Sequence, residues 1–115
     1  LDLAGRRIVV GVCGGIAAYK AVEVARRLTQ AGAEVRVVMT RAATQFVGPL
    51  TFSTLTGHAV ASDLFPEPAP AEIVHTSLGR WAELVVVAPA TADLIAKYAL
   101  GLADDVLSAL LLATR

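Results

Sequence analysis

The chain has 115 residues, with ten Lys and Arg balanced by ten Asp and Glu; 56% of its residues are hydrophobic and only 17% charged. This length suits one domain with a real core, and neutrality without a basic tract excludes a phosphate-tracking face for nucleic acid. Cys13 is the single cysteine, so no internal disulfide can form, and one cysteine with two histidines cannot build an ordinary structural zinc site.

Soluble domains are roughly a quarter charged. The apolar excess here points to a surface covered by a partner, most simply a second copy, or to a buried parallel sheet, whose strands are also apolar. The cysteine usage fits a reducing cytoplasm. The longest apolar runs, such as Leu84–Ala90, are too short to cross a bilayer, and no basic n-region precedes a hydrophobic h-region in the first residues given. The chain begins at Leu1 rather than methionine and closes on Arg115 after an apolar segment, so we expect a piece of a longer protein.

Ile8–Val12 is a β-branched run ending in Cys13-Gly14-Gly15, which predicts a strand followed by a tight turn. From near Ile16 a helix follows, with Ala17, Ala21, Val24, Ala25 and Leu28 on one face and Lys20, Glu23, Arg27 and Gln30 on the other. Gly32 stops it, and Glu34–Thr40 is the next strand, completing a right-handed parallel crossover. Arg41 to Ser53 reads as two short helical pieces broken at Gly48-Pro49. His58–Ser62 has the character of a short strand, and Phe65–Pro70, with three prolines, that of a loop.

His75–Ala82 is helical in pattern. Leu84–Val87 is nearly all apolar and is expected to be buried on both faces. Thr91–Leu100 is a helix ended by Gly101, and Asp104–Thr114 is a second, apolar on almost every side. This alternation predicts an α/β domain with a doubly wound parallel sheet, a flavodoxin-like or Rossmann-like three-layer sandwich. Ligands in such sheets lie beyond the carboxyl ends of the strands, where Cys13–Ala17, Thr40–Ala43 and Pro89–Leu94 should converge.

The run Gly11-Val12-Cys13-Gly14-Gly15-Ile16 lacks both the G-x-G-x-x-G spacing and a Walker lysine. Its glycines still allow close approach to an anion at a helix N-terminus, although paired glycines equally suit a plain turn. Thr40 can bond a phosphate oxygen or, more simply, cap a helix starting at Arg41. Cys13 reads as a small side chain beside glycines, since no base adjoins it. Small residues in Pro89-Ala90-Thr91-Ala92-Asp93-Leu94 leave room for a flat ligand, while Thr91 and Asp93 also serve as helix-start residues. Asp104 and Asp105 suit the start of the last helix. His75 stands near a helix start, where solvated histidines are common, and its neighbour Ser77 has no triad partners.

Taken together, the segments resemble the FMN-dependent cysteine decarboxylase family, in its coenzyme A branch. The resemblance runs from about Gly5 to Thr114. It is carried by Gly14-Gly15-Ile16-Ala17-Ala18-Tyr19-Lys20, Val38-Met39-Thr40 with Ala43 and Phe46, and Pro49-Leu50-Thr51-Phe52. His75 with Arg80-Trp81-Ala82, Ala88-Pro89-Ala90-Thr91-Ala92, Ile95-Ala96-Lys97 and Gly101-Leu102-Ala103-Asp104-Asp105 complete the set.

The resemblance implies an FMN cofactor, its phosphate held by Gly14, Gly15, Ile16 and Thr40, with Thr91, Ala92, Asp93 and Leu94 against the flavin. It makes His75 the catalytic base and implies decarboxylation of 4'-phosphopantothenoylcysteine to 4'-phosphopantetheine. In that family the cysteinyl side chain is oxidised to a thioaldehyde, carbon dioxide departs, and the electrons return from reduced flavin; a thiolate is the species more easily oxidised.

It further implies a homotrimer or dodecamer with FMN at the subunit boundary, and a possible fused phosphopantothenate–cysteine ligase domain. Asp93 and Leu94 depart from the commoner Asn and Thr, and a carboxylate only accepts hydrogen bonds where an amide also donates. The family's later strand, its Pro-Ala-Met-Asn loop and its cysteine-bearing flap are not found before Arg115, so this stretch alone is expected not to complete the reaction. Rival readings are a flavin prenyltransferase or a catalytically silent FMN-binding regulator. A nicotinamide dehydrogenase is disfavoured because no acidic residue closes the second strand.

Overall fold

The computed structural model describes residues 3–62, 74–89, 92–101 and 105–113. Its centre is a parallel three-stranded sheet of β1 (Arg7–Val12), β2 (Glu34–Met39) and β3 (Leu84–Val87), in the order β2-β1-β3. β1 pairs in register with β2 from Arg7↔Glu34 to Val12↔Met39, and with β3 from Ile8↔Leu84 to Gly11↔Val87.

Alternation along β1 divides the core into two layers, because successive side chains on a strand point to opposite faces. Ile8, Val10 and Val12 meet Val35, Val37 and Met39 on one face. There they pack on α1 (Ala18–Gln30), through Ala18, Ala21 and Ala25, and on Phe52 of α2 (Pro49–Thr56). Val9, Cys13 and Val38 face the other way. They meet Leu78 of α3 (Val74–Trp81), Leu94 of α4 (Ala92–Leu100), and Leu107 and Leu110 of α5 (Val106–Ala113). Helices cover both faces, as the doubly wound pattern predicts.

α1 begins at Ala18, two residues later than its apolar pattern, because Gly15 to Ala18 close a turn first (Ala18 N–H to Gly15 carbonyl, 2.9 Å). The two short helical pieces expected here do part at Gly48-Pro49, and Pro49 opens the second, α2; its missing N–H costs nothing in a first turn, and Gly57 in the left-handed region ends the helix. A 3₁₀ turn at Ala43–Gln45 precedes it. The strand expected over His58–Ser62 is reduced to one parallel bridge, Val38↔Ala61, on the outer edge of β2. The proline-rich loop at 65–70 lies outside the described residues.

β3 departs from expectation. Leu84 is 54% exposed and Val85, Val86 and Val87 are half-buried. Among the described residues β3 pairs only with β1, so its outer edge lacks the neighbours that double burial requires.

α5 starts at Val106 because Asp105 caps it. The Asp105 carboxylate accepts from the Ser108 N–H (2.7 Å) and hydroxyl (2.8 Å), and the Asp105 N–H donates back to the Ser108 hydroxyl (3.2 Å). This reciprocal pair satisfies the one polar side chain among the buried described residues. Leu107, fully buried, lies against β1 where Gly11 leaves room: a Cβ at Gly11 would stand 2.6 Å from Leu107 Cδ1.

Charge pairs decorate the surface. Hydrogen bonds from Arg26 and Arg27 hold the Glu23 carboxyl at about 2. Glu83 is held below the ordinary carboxylate range, first by the Arg7 N–H and then by the Arg6 guanidinium. Both are depressed in the folded chain, so their contribution is complete above the ordinary carboxylate value and is lost as pH falls through the folded one.

Two outcomes follow. Leu107→Ala should destabilise the fold by about 2–5 kcal/mol in denaturant unfolding, the range for emptying a close-packed leucine site. Glu23→Gln should leave the thermal midpoint at neutral pH nearly unchanged, as expected of an exposed pair. It should also flatten the fall in midpoint on acidification toward about pH 2, measured by circular dichroism.

Candidate functional site

Parallel pairing delivers three strand ends to one rim. The Thr40 N–H donates to the Val12 carbonyl (3.0 Å), and the Ala88 N–H donates to the Gly11 carbonyl (2.9 Å). The residues that directly follow β2 and β3 are thereby laced to the end of β1, while residues 90 and 91 of the expected third segment, Pro89–Leu94, lie outside the described residues.

Gly14 is required by the chain itself. A Cβ there would lie 2.5 Å from Ala42 Cβ and 2.9 Å from the Ala42 carbonyl carbon, so the turn after β1 presses directly on the turn after β2. At Gly15, by contrast, an added Cβ would meet nothing within 4 Å. The N–H groups of Gly14, Gly15, Ile16 and Ala17 find no acceptor among the described residues, and no side chain caps α1. These N–H groups stand at the positive end of a thirteen-residue helix, beside the open face of Gly15, an arrangement suited to an anion. The Ile16 side chain is 82% exposed beside them.

Thr40 takes the capping role: its Oγ1 accepts from the Ala43 N–H (3.1 Å). A hydroxyl that accepts still has a proton to donate, so the same Thr40 can also serve an anion at the rim. Cys13 is 1% exposed and packs with Val9, Val38 and Leu78, a core position rather than a nucleophile's.

The remaining candidates lie on α3 and α4. Ala92 and Asp93 open α4; the helical backbone there is described, their side chains are not. Leu94, one residue on, is buried with Cys13, Leu107 and Leu110. Thr91 lies outside the described residues. His75 occupies the second position of α3, again with only its backbone described. Two residues separate α3 from β3, so the helix runs opposite to the strand and its first turn lies toward the carboxyl rim.

Sequence reasoning did not single out Ala42, whose contact makes Gly14 obligatory, because small residues in turns carry no spacing signal. It also passed over Arg36, a charge inside the otherwise apolar run of β2, although that anomaly was visible. Among the described residues no three His, Cys, Asp or Glu side chains are grouped to hold a metal, and no helix is long and apolar enough to cross a membrane.

Comparison with known proteins agrees with this geometry. The flavoprotein family model matches residues 1–115. The coenzyme A biosynthesis bifunctional protein CoaBC of Escherichia coli (strain K12) is 52% identical over 114 residues, covering 99% of this chain but 28% of that protein. The FMN-dependent cysteine decarboxylase SpaF superposes with a TM-score of 0.87 at 39% identity, covering 99% of this chain and 66% of the other. A PPC decarboxylase complexed with pantothenoylaminoethenethiol superposes with a TM-score of 0.76 at 28% identity, covering 96% of this chain and 61% of the other. The chain therefore spans little more than a quarter of the curated relative.

The two adjacent glycines should separate in experiment. Gly14→Ala should cost about 1–3 kcal/mol of folding free energy, the usual range for overpacking. Gly15→Ala should leave stability unchanged or raise it by up to about 1 kcal/mol by restricting the unfolded chain. Urea unfolding of both variants measures the difference.

Proposed function

This chain belongs to the flavoprotein family, and from that premise we propose that it is the FMN-holding part of a phosphopantothenoylcysteine decarboxylase acting in coenzyme A synthesis. The observation that carries the reading is the row of N–H groups from Gly14 to Ala17, without acceptors among the described residues, at the rim where the three strands end. An FMN phosphate fits that row, since Gly15 leaves its approach open and Thr40 adds a hydroxyl beside it. Thr91, Ala92, Asp93 and Leu94 are the residues we assign to the flavin ring. FMN, when bound, would supply the two-electron oxidation of the cysteinyl side chain that gives the electron pair left behind by departing carbon dioxide an acceptor.

The chain's own part is to bind, orient and move a proton. The helix dipole and N–H groups hold the phosphate. His75 is assigned as the base that takes the cysteinyl thiol proton, because the thiolate is the more readily oxidised form. The relatives named CoaBC and PPC decarboxylase support this choice of substrate.

We assign residues 1–115 to the decarboxylase domain of a longer cytoplasmic protein, with a phosphopantothenate–cysteine ligase domain fused to it, as the word bifunctional in the relative's name supports. A homotrimer or dodecamer is the assembly we assign. Exposed Ile16, Tyr19, Phe46 and Leu50 support a covering copy near the site.

The full-length protein is expected to purify yellow, with oxidised flavin absorbance. Gly15→Ala should weaken FMN binding at least about tenfold, since a methyl enters the cradle while the fold tolerates it. His75→Asn should keep the colour and release no carbon dioxide from 4'-phosphopantothenoylcysteine. A colourless protein that ignores added FMN would sink the cofactor assignment; full turnover by His75→Asn would remove that histidine from the chemistry.

A further inference from the structure

Arg36 occupies a place where an apolar side chain would be expected. It pairs across the sheet with fully buried Val9 and lies on the same face of β2 as Val38, the face that meets α3 and α5. Its Nε is buried and has no hydrogen-bond partner among the described residues. Its guanidinium carbon stands 5.2 Å from the centroid of the Trp81 ring, within the range of a cation–π contact. A buried donor left without an acceptor disfavours folding, and an apolar residue of similar length would remove that cost.

Trp81 is the last residue of α3, and its backbone is held as well. The Arg7 Nε donates to the Trp81 carbonyl at 2.8 Å, and the Glu83 N–H donates to the Arg7 carbonyl at 2.8 Å. The carboxyl end of α3 is therefore fastened from β1 through its backbone and from β2 through its ring. Leu78, one turn back, is buried beside Cys13 and Val38 and sets the side of the helix that faces the sheet. His75 lies six residues before Trp81, about 9 Å along the axis of one continuous helix.

We propose that Arg36 is a positioning residue for the decarboxylation: stacked on Trp81, it fixes the height and rotation of α3 and so the placement of His75 at the rim. This deepens the proposed function and rests on His75 being the base. A helix of eight residues is stiff, so a shift at its fastened end is carried to its first turn. A misplacement of about 1 Å at a reacting group can cost as much as a hundredfold in rate.

The test uses the full-length flavin-bound decarboxylase that contains this chain, with Arg36→Met, Arg36→Lys, Trp81→Phe and His75→Asn compared for flavin absorbance, thermal midpoint, KM and kcat. Arg36→Met should keep its flavin and leave KM within about twofold. Its midpoint should be unchanged or raised because the orphaned donor is gone, while kcat falls about tenfold or more. Arg36→Lys, which keeps a cation over the ring, should recover kcat to within about threefold. Trp81→Phe should lower kcat with KM unchanged, and it decides by the same criteria if Arg36→Met does not fold.

An unaltered kcat in Arg36→Met overturns the proposal. So does a loss that merely tracks lower stability and flavin content, or an Arg36→Lys variant as impaired as Arg36→Met. An inactive His75→Asn beside a fully active Arg36→Met defeats the positioning role alone. A fully active His75→Asn defeats the assignment of the base beneath it.

Discussion

The structure depends on β1 being paired in parallel on both edges and covered on both faces. Its six residues set the register of β2 and β3, and its alternating side chains divide the core into two layers. Parallel pairing leaves all three strands pointing the same way, so their ends must meet at one rim. The N–H groups after β1, without acceptors among the described residues, and the Thr40 hydroxyl after β2 share that rim. The same strand makes room for α5, because only glycine at position 11 lets Leu107 settle against the sheet.

Much of this was legible in the residues. β-branched runs bounded by glycine marked β1 and β2, the 3.6-residue apolar stripe marked α1, and the order of elements implied a doubly wound sheet. What escaped were features decided by neighbours distant in sequence. Leu84–Val87 looked like a doubly buried strand because its composition is apolar, yet its burial depends on what pairs beyond it. The His58–Ser62 strand shrank to one bridge because only Ala61 comes within reach of β2.

The candidate site was legible to a similar degree. The Gly14-Gly15 pair pointed to a close approach, and the structure divides that signal into a packing demand at Gly14 and an open face at Gly15. Thr40 does cap the turn that follows, the simpler of its two expected uses. Spacing could not reveal that the guanidinium of Arg36 and the ring of Trp81, forty-five positions apart, are stacked. That contact is tertiary, and its only trace in the sequence is a charge standing among valines.

The uncapped start of α1 has a thermodynamic corollary. Its amides without acceptors among the described residues are arrayed only when the strand, turn and helix are formed, so an anion that occupies them binds the native chain and ignores the unfolded one. Such selective occupancy adds to stability with the logarithm of ligand concentration, about 2.7 kcal/mol at a hundred times the dissociation constant. Flavin supply in the cell would then govern not just how much of the protein works but how much of it survives surveillance by proteases.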